Sequence, residues 1–189
     1  GKLLPYEPAL RVPMVIRGPG IRKGTASVEP MANQDIAPTL MALAGSRPGR
    51  GVDGRSMIPY WKNPKKKSRR PILISSYQLS THLIPGDYPP DTPDPVQVKN
   101  RKGGQASAKA ANQNYVGIRL GPYKYVEYES GDGELYVLSR DPAEQYNRYG
   151  NPRYAKIQRY LDDQLEILRG CKGKSCRAEA PTWPGLPGG

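Results

Sequence analysis

Between positions 85 and 114 the chain reads PGDYPPDTPDPVQVKNRKGGQASAKAANQN, with proline at 85, 89, 90, 93 and 95 and no apolar periodicity. Proline fixes φ and removes backbone donors, and so polar a run buries too little apolar surface to offset the entropy of ordering it. One hydrophobic core cannot run through such a segment. The 189 residues are therefore expected to form ordered stretches on either side of a long surface loop. With 21 Gly, 21 Pro and only 37% hydrophobic residues, the core is expected to be incomplete on its own.

Ahead of the loop, RVPMVIRGPG predicts a short buried strand over residues 12–17, stopped by Gly18-Pro19-Gly20. NQDIAPTLMALAG predicts a helix. Asp35 is placed to cap it, Pro38 lies in its first turn, Ile36, Leu40 and Leu43 recur at helical spacing, and Gly45 stops it. RPILISSY predicts a second strand. Beyond the loop, YVGIRLGPYKYVEYESGDGELYVLS contains three β-branched and aromatic runs separated by Gly121-Pro122 and SGDG, which predicts an antiparallel meander. Its tyrosines, like Tyr77, suit core or edge packing. Asn151-Pro152 supplies a cap and a first-turn proline for a helix whose Tyr154, Ile157, Leu161, Leu165 and Leu168 form one stripe ending at Gly170. That stripe is expected to cover one face of the meander. The tail AEAPTWPGLPGG is expected to be disordered.

The formal net charge of +12 suits an anionic partner. WKNPKKKSRRP gathers Lys62, Lys65, Lys66, Lys67, Arg69 and Arg70. It reads as a solvated loop or as a binding patch, and no aromatic stacking platform accompanies it. Cys171 and Cys176 sit in GCKGKSCR. A zinc site would need two more ligands, and the single histidine, His82, is distant in sequence, so a small disulfide ring fits better than a metal site, with two free thiols as the alternative. A disulfide would imply an oxidising compartment. No apolar run reaches membrane-spanning length.

Taken in order, GKLLPYEPALRVPMVIRGPG, DIAPTLMALAG, DGRSMIPYW, ELYVLSRDPAEQYN and a helix leading to paired cysteines resemble the C-terminal portion of the sulfatase family. The resemblance spans most of residues 1–177 outside the proline-rich loop. It implies an α/β fold: the C-terminal part of an alkaline-phosphatase-like domain, followed by a small antiparallel sheet packed against a C-terminal helix. The expected division is 1–70 for the end of the catalytic α/β domain, 71–177 for the antiparallel subdomain with its loop at 85–114, and 178–189 for the tail.

The resemblance further implies that Lys2, in the Gly-Lys that precedes a Tyr-Glu, contacts the sulfate group and stabilises charge that develops as the S–O bond breaks. Read without it, Lys2 is a solvated terminal lysine. Glu7 and Arg11 match positions expected to pair with neighbours and fix the segment bearing Lys2. His82, just past the second predicted strand, could reach a substrate or be plain surface. The family's nucleophile is a formylglycine made from Cys or Ser followed by x-Pro-x-Arg, and neither cysteine here begins that pattern. The aspartates that hold the family's calcium ion are also unmatched, since Asp35 and Asp53 fall at a helix start and an Asp-Gly turn, so no metal ligand is assigned in this chain. The expectation is a chain that alone is inactive, from a secreted or extracytoplasmic enzyme hydrolysing an aryl sulfate or a sulfated glycan, with calcium and nucleophile bound or borne upstream. Isolated, it would expose Val12, Met14 and Ile16. Neither nucleic acid nor a membrane span is expected on that reading. The rival reading is a basic module that binds acidic polysaccharide or nucleic acid, and phosphatases or phosphodiesterases of the same superfamily are a third.

Overall fold

The computed structural model describes residues 4–76 and 114–186. In chain order the helices are α1 (Glu7–Leu10), α2 (Ile36–Leu43), α3 (Ile58–Lys62) and, at the far end, α4 (Ala155–Arg169). Between α3 and α4 run β1 (Ile72–Ser76), β2 (Tyr115–Leu120), β3 (Tyr123–Tyr128) and β4 (Gly133–Val137). The four strands form one antiparallel sheet in the order β1-β2-β3-β4. Its register pairs Leu73 with Ile118, Ile118 with Tyr125 and Tyr125 with Leu135. The strand predicted from RPILISSY thus adds to the predicted meander.

Because side chains alternate across a strand, this register sorts the sheet into two faces. Ile118, Leu120, Tyr123, Tyr125, Leu135 and Val137 lie on one, and the α4 stripe of Ile157, Leu161, Leu165 and Leu168 packs against them in a single cluster. Asn151 caps not α4 itself but the 3-10 turn Pro152–Tyr154 that leads into it, accepting from the Arg153 amide at 3.0 Å. Ile74, Tyr115, Val126 and Tyr128 lie on the opposite face, covered in part by Leu4 and Leu10. Both faces are therefore buried.

The tail differs from expectation. Residues 178–186 pack along the first face: Ala180 is buried and Trp183 and Leu186 join its cluster. The Ala180 amide donates to the Arg69 carbonyl at 3.0 Å, and the Tyr123 and Tyr160 hydroxyls donate to the carbonyls of Pro184 at 3.1 Å and Pro181 at 2.7 Å. Composition suggested disorder, but a proline-rich extended segment still offers carbonyls, and tyrosines on the sheet and on α4 collect them. Gly121, at φ +54°, is required here, since a Cβ would press on the Trp183 ring.

Residues 12–17 form no strand. They are irregular, with Val12 63% and Val15 95% exposed. A strand exists only through its hydrogen-bonded neighbour, and among the described residues no segment pairs with this one. The α2 helix is present, but its periodic Ile36, Leu40 and Leu43 face solvent. Its inward residues are Pro38 and Thr39. Asp35 does not cap α2 by its side chain. It is buried, bonded at 2.7 Å by both terminal nitrogens of Arg70, and accepts from the amides of Ala32 and Arg55 at 3.0 and 2.9 Å. Burial pushes this carboxyl up, but the bonds from Arg70, Ala32 and Arg55 outweigh it and hold the group below its ordinary 3.8. Gly54 belongs to the same knot, because a Cβ there would overlap the Gln34 carbonyl.

Cys171 and Cys176 are joined in a disulfide. Its loop docks on the Asp-Gly turn: the Gly173 amide donates to Asp53 at 2.6 Å and Arg177 donates to the Val52 carbonyl. The basic run is divided by the fold. Arg70 is buried on Asp35 and Arg69 donates through Nε to the Ala180 carbonyl at 3.1 Å, whereas Lys62, Lys65, Lys66 and Lys67 are exposed. No helix among the described residues is long and apolar enough to cross a membrane.

Candidate functional site

Lys2, His82 and Tyr77 lie outside the described residues. The ground on which the segment following Lys2 rests is described in full, and it is the second face of the sheet. Pro5, Tyr6 and Glu7 lead into α1, whose second residue is Pro8. Proline suits that position, since its absent N–H has no partner to lose in a first turn.

Beneath this segment Lys124 of β3 points away from α4. It is 0% exposed, donates to the Pro5 carbonyl and forms an ion pair with Glu144. Glu144 in turn accepts from the Glu7 amide at 2.6 Å. Tyr6 closes the arrangement, its hydroxyl donating to Glu134 at 3.1 Å and its ring lying edge-on to Tyr136 with centroids 6.3 Å apart. The Lys124 Nζ sits 5.3 and 5.4 Å from the centres of those two rings, close enough for a cation–π attraction. Glu7 pairs with Arg119 of β2 at 3.4 Å. Arg11 is exposed and forms no ion pair among the described residues; its charge lowers the pKa of Arg119, after burial and against the pull of Glu7.

The electrostatics follow from burial. Lys124 is pulled down to about 8 by desolvation, with Glu7 and Glu134 opposing and Arg119 adding to the fall. Desolvation also pushes Glu134 above the usual carboxylate range against bonds from Tyr6 and the attraction of Lys124, and it raises Tyr6, Tyr128 and Tyr136. Burial thus works against the charged forms of both Lys124 and Glu134, which are offset by their partners within the arrangement. Chemically it is a cradle for a backbone segment.

Glu127, Asp162 and Glu166 are the one group of three carboxylates near enough together to share a cation among the described residues. They do not fit a catalytic metal: Arg169 pairs with Glu127 at 2.5 Å and with Glu166, so a guanidinium already occupies two of the three. They also lie on α4 and the α4 face of the sheet, opposite the cradle. An open cavity of about 330 Å³ is lined by Asn151, Gln158 and Arg159 at the start of α4 and includes none of the predicted site residues.

One sequence signal was missed by attending to the cysteines. Ser46-Arg47-Pro48-Gly49-Arg50 matches the Ser-x-Pro-x-Arg pattern letter for letter. Ser46 is exposed in the turn that ends α2, its amide donating to the Met41 carbonyl at 2.9 Å. Its place there is that of a helix terminator.

Residues 1–88 match the family described as N-sulphoglucosamine sulphohydrolase, C-terminal. An arylsulfatase of Chlamydomonas reinhardtii is 29% identical over 93% of this chain and 28% of its own length. A Delta 4,5-hexuronate-2-O-sulfatase of Bacteroides thetaiotaomicron is 26% identical over 97% of this chain and 36% of its own. These likenesses are to the C-terminal portions of sulfatases. Among solved structures, one described as BT4656 in complex with its substrate D-glucosamine-2-N,6-O-disulfate superposes with a TM-score of 0.51 at 22% identity, covering 76% of this chain and 24% of that one. The fold is thus the C-terminal part of the alkaline-phosphatase-like sulfatase fold, ending in a four-stranded antiparallel sheet and its helix. The chain spans between about a quarter and a third of the length of these sulfatases.

Proposed function

We propose that this chain forms the C-terminal part of a sulfatase that hydrolyses a sulfated glycan, and that Lys2 contacts the sulfate group. The match to sulfatases over more than nine-tenths of the chain carries the reading. The cradle supports it, because buried charge is spent on the backbone just after Lys2. The glycan preference rests on the exposed Lys62, Lys65, Lys66 and Lys67 and on the named activities of the relatives; an aryl sulfate is the simpler alternative substrate. We place the formylglycine and the calcium ion with residues outside this chain, since Asp35 is committed to Arg70 and Ser46 lies on an exposed turn. Calcium would supply Lewis acidity to the sulfate oxygens.

The part of the mechanism that belongs to this chain is electrostatic. As the S–O bond breaks, negative charge grows on the sulfate and leaving oxygens, and a fixed ammonium a hydrogen bond away stabilises that charge more than it stabilises the ground state. The disulfide and the likeness to sulfatases support an oxidising, extracytoplasmic setting. Residues 12–17 and the outward side of α2 are then surfaces for the rest of the α/β domain, where Val12, Val15 and Leu40 would be covered.

The test is Lys2→Ala in the full-length protein, assayed on 4-nitrophenyl sulfate and on D-glucosamine 6-O-sulfate. The expected result is a fall in kcat of about 10²–10³-fold with folding unchanged, little restored by Lys2→Arg, whose planar fork does not replace a compact ammonium. A kcat close to the parent's on both substrates would remove Lys2 from the site. Salt-sensitive retention on heparin or DNA by a full-length protein that turns over neither ester would favour the basic binding module instead.

A further inference from the structure

We infer that Lys124 and Glu144 are positioning residues for the reaction, holding the Pro5–Glu7 backbone and through it the sulfate-contacting Lys2; this rests on the role proposed for Lys2. The two side chains meet as an ion pair inside the protein, yet what they bind is neither the sheet nor each other alone. Lys124 takes the Pro5 carbonyl and Glu144 takes the Glu7 amide. They thus grip one polar group on each side of Tyr6, and Tyr6 is itself tied to Glu134. Three peptide units separate Pro5 from Lys2, so the two Cα atoms are within about 11 Å of each other.

The backbone is also bent to make this grip. Among the described residues Glu144 alone of the non-glycines has positive φ, at 55°, a region that a side chain with a Cβ adopts at a cost. Asp141 enforces the bend, accepting from the amides of Gln145 at 3.0 Å and Tyr146 at 2.8 Å while its carbonyl accepts from the Glu144 amide at 3.1 Å. Strain, burial and an ion pair are combined where well-packed apolar side chains would serve stability as well or better. Directional bonds to a backbone segment are what apolar packing cannot supply.

The test uses the full-length protein with Lys124→Met/Glu144→Leu, which removes both charges together and so leaves neither orphaned, beside each single change. The double variant is expected to melt above the assay temperature and higher than either single variant, yet to lose about 10- to 100-fold in kcat on 4-nitrophenyl sulfate with little change in KM. In a Lys2→Ala background the same double change should cost less than about twofold, because the interaction it aligns is already gone. A folded double variant with the parent's kcat, or one whose loss is just as large without Lys2, would overturn the inference. If instead Lys2→Ala alone leaves kcat intact, it is the role of Lys2 that fails.

Discussion

The two faces of this sheet are buried by opposite means. Under α4, Ile118, Leu120, Leu135 and Val137 meet Ile157, Leu161, Leu165 and Leu168, and the contact is non-directional: apolar area removed from water. Under α1, Val126 and Tyr128 share the face with Lys124 and Glu134, and the covering segment is held by bonds to the Pro5 carbonyl and from the Glu7 amide and the Tyr6 hydroxyl. The first face tolerates any side chain of suitable volume. The second accepts one register, because displacing the segment by a residue takes the Pro5 carbonyl from Lys124, the Glu7 amide from Glu144 and the Tyr6 hydroxyl from Glu134. An apolar face supports a helix, whereas a charged one fixes a position.

The comparison is broken most severely by unpairing the second face. Glu144→Ala leaves the Lys124 ammonium, 0% exposed, without its carboxylate, and should destabilise by about 3–5 kcal/mol. Thermal melts decide it, and a loss under about 1 kcal/mol would mean that water reaches Lys124. On the first face Leu161→Ala, at a fully buried site, should cost about 2–5 kcal/mol through lost transfer and a cavity. Leu161→Met, which nearly conserves volume, should recover most of that loss. No such near-neutral single replacement is expected for Glu144, since even glutamine surrenders the charge.

The Asp35–Arg70 pair extends the logic to residues outside the sheet, with a smaller, pH-dependent effect. The folded pKa lies below the ordinary 3.8, so as acid is added the unfolded chain takes up a proton before the folded one does. Stability contributed by the pair is therefore complete above pH 3.8 and is lost as pH falls through the folded pKa. Melting temperatures measured from pH 6 to pH 3 should fall more steeply for the parent than for Asp35→Asn/Arg70→Met. Parallel curves would deny the pair its share of acid sensitivity.

What could be read from the sequence followed the same division. The α4 stripe, the Gly121-Pro122 and SGDG turns and the Cys171–Cys176 ring are local patterns, and local chemistry decides them. Lys124 was illegible, because strand alternation sets it opposite the α4 face, where solvent is the default, and the carbonyl that occupies that space belongs to a residue 119 positions earlier. The positive φ of Glu144 has no sequence signature, since glycine or asparagine would be the expected residue there. Residues 12–17 read as a strand for the converse reason: their composition states a preference, and only a neighbouring strand can realise it. For the site itself, the role of Lys2 rests on resemblance alone; Glu7 does meet a charged neighbour, Arg119, which strand pairing and not sequence brings to it, while Arg11 forms no ion pair among the described residues.

The smallest expected effect concerns Ser46, which shares neither face. Its pattern fits a formylglycine precursor, so sequence alone would nominate it as nucleophile. Its setting argues otherwise. A sulfate-attacking group works where water is excluded and donors are fixed around the developing charge, whereas Ser46 is exposed and its amide serves the last turn of α2. Asp35, eleven positions earlier, has both carboxylate oxygens taken by Arg70 and cannot act for it. Ser46→Ala in the full-length protein should leave kcat and KM on 4-nitrophenyl sulfate within about twofold of the parent and the melting temperature nearly unchanged, as for an exposed substitution. Loss of about three decades in kcat in a folded variant, accompanied by disappearance of an aldehyde detectable at residue 46 by mass spectrometry, would move the nucleophile into this chain.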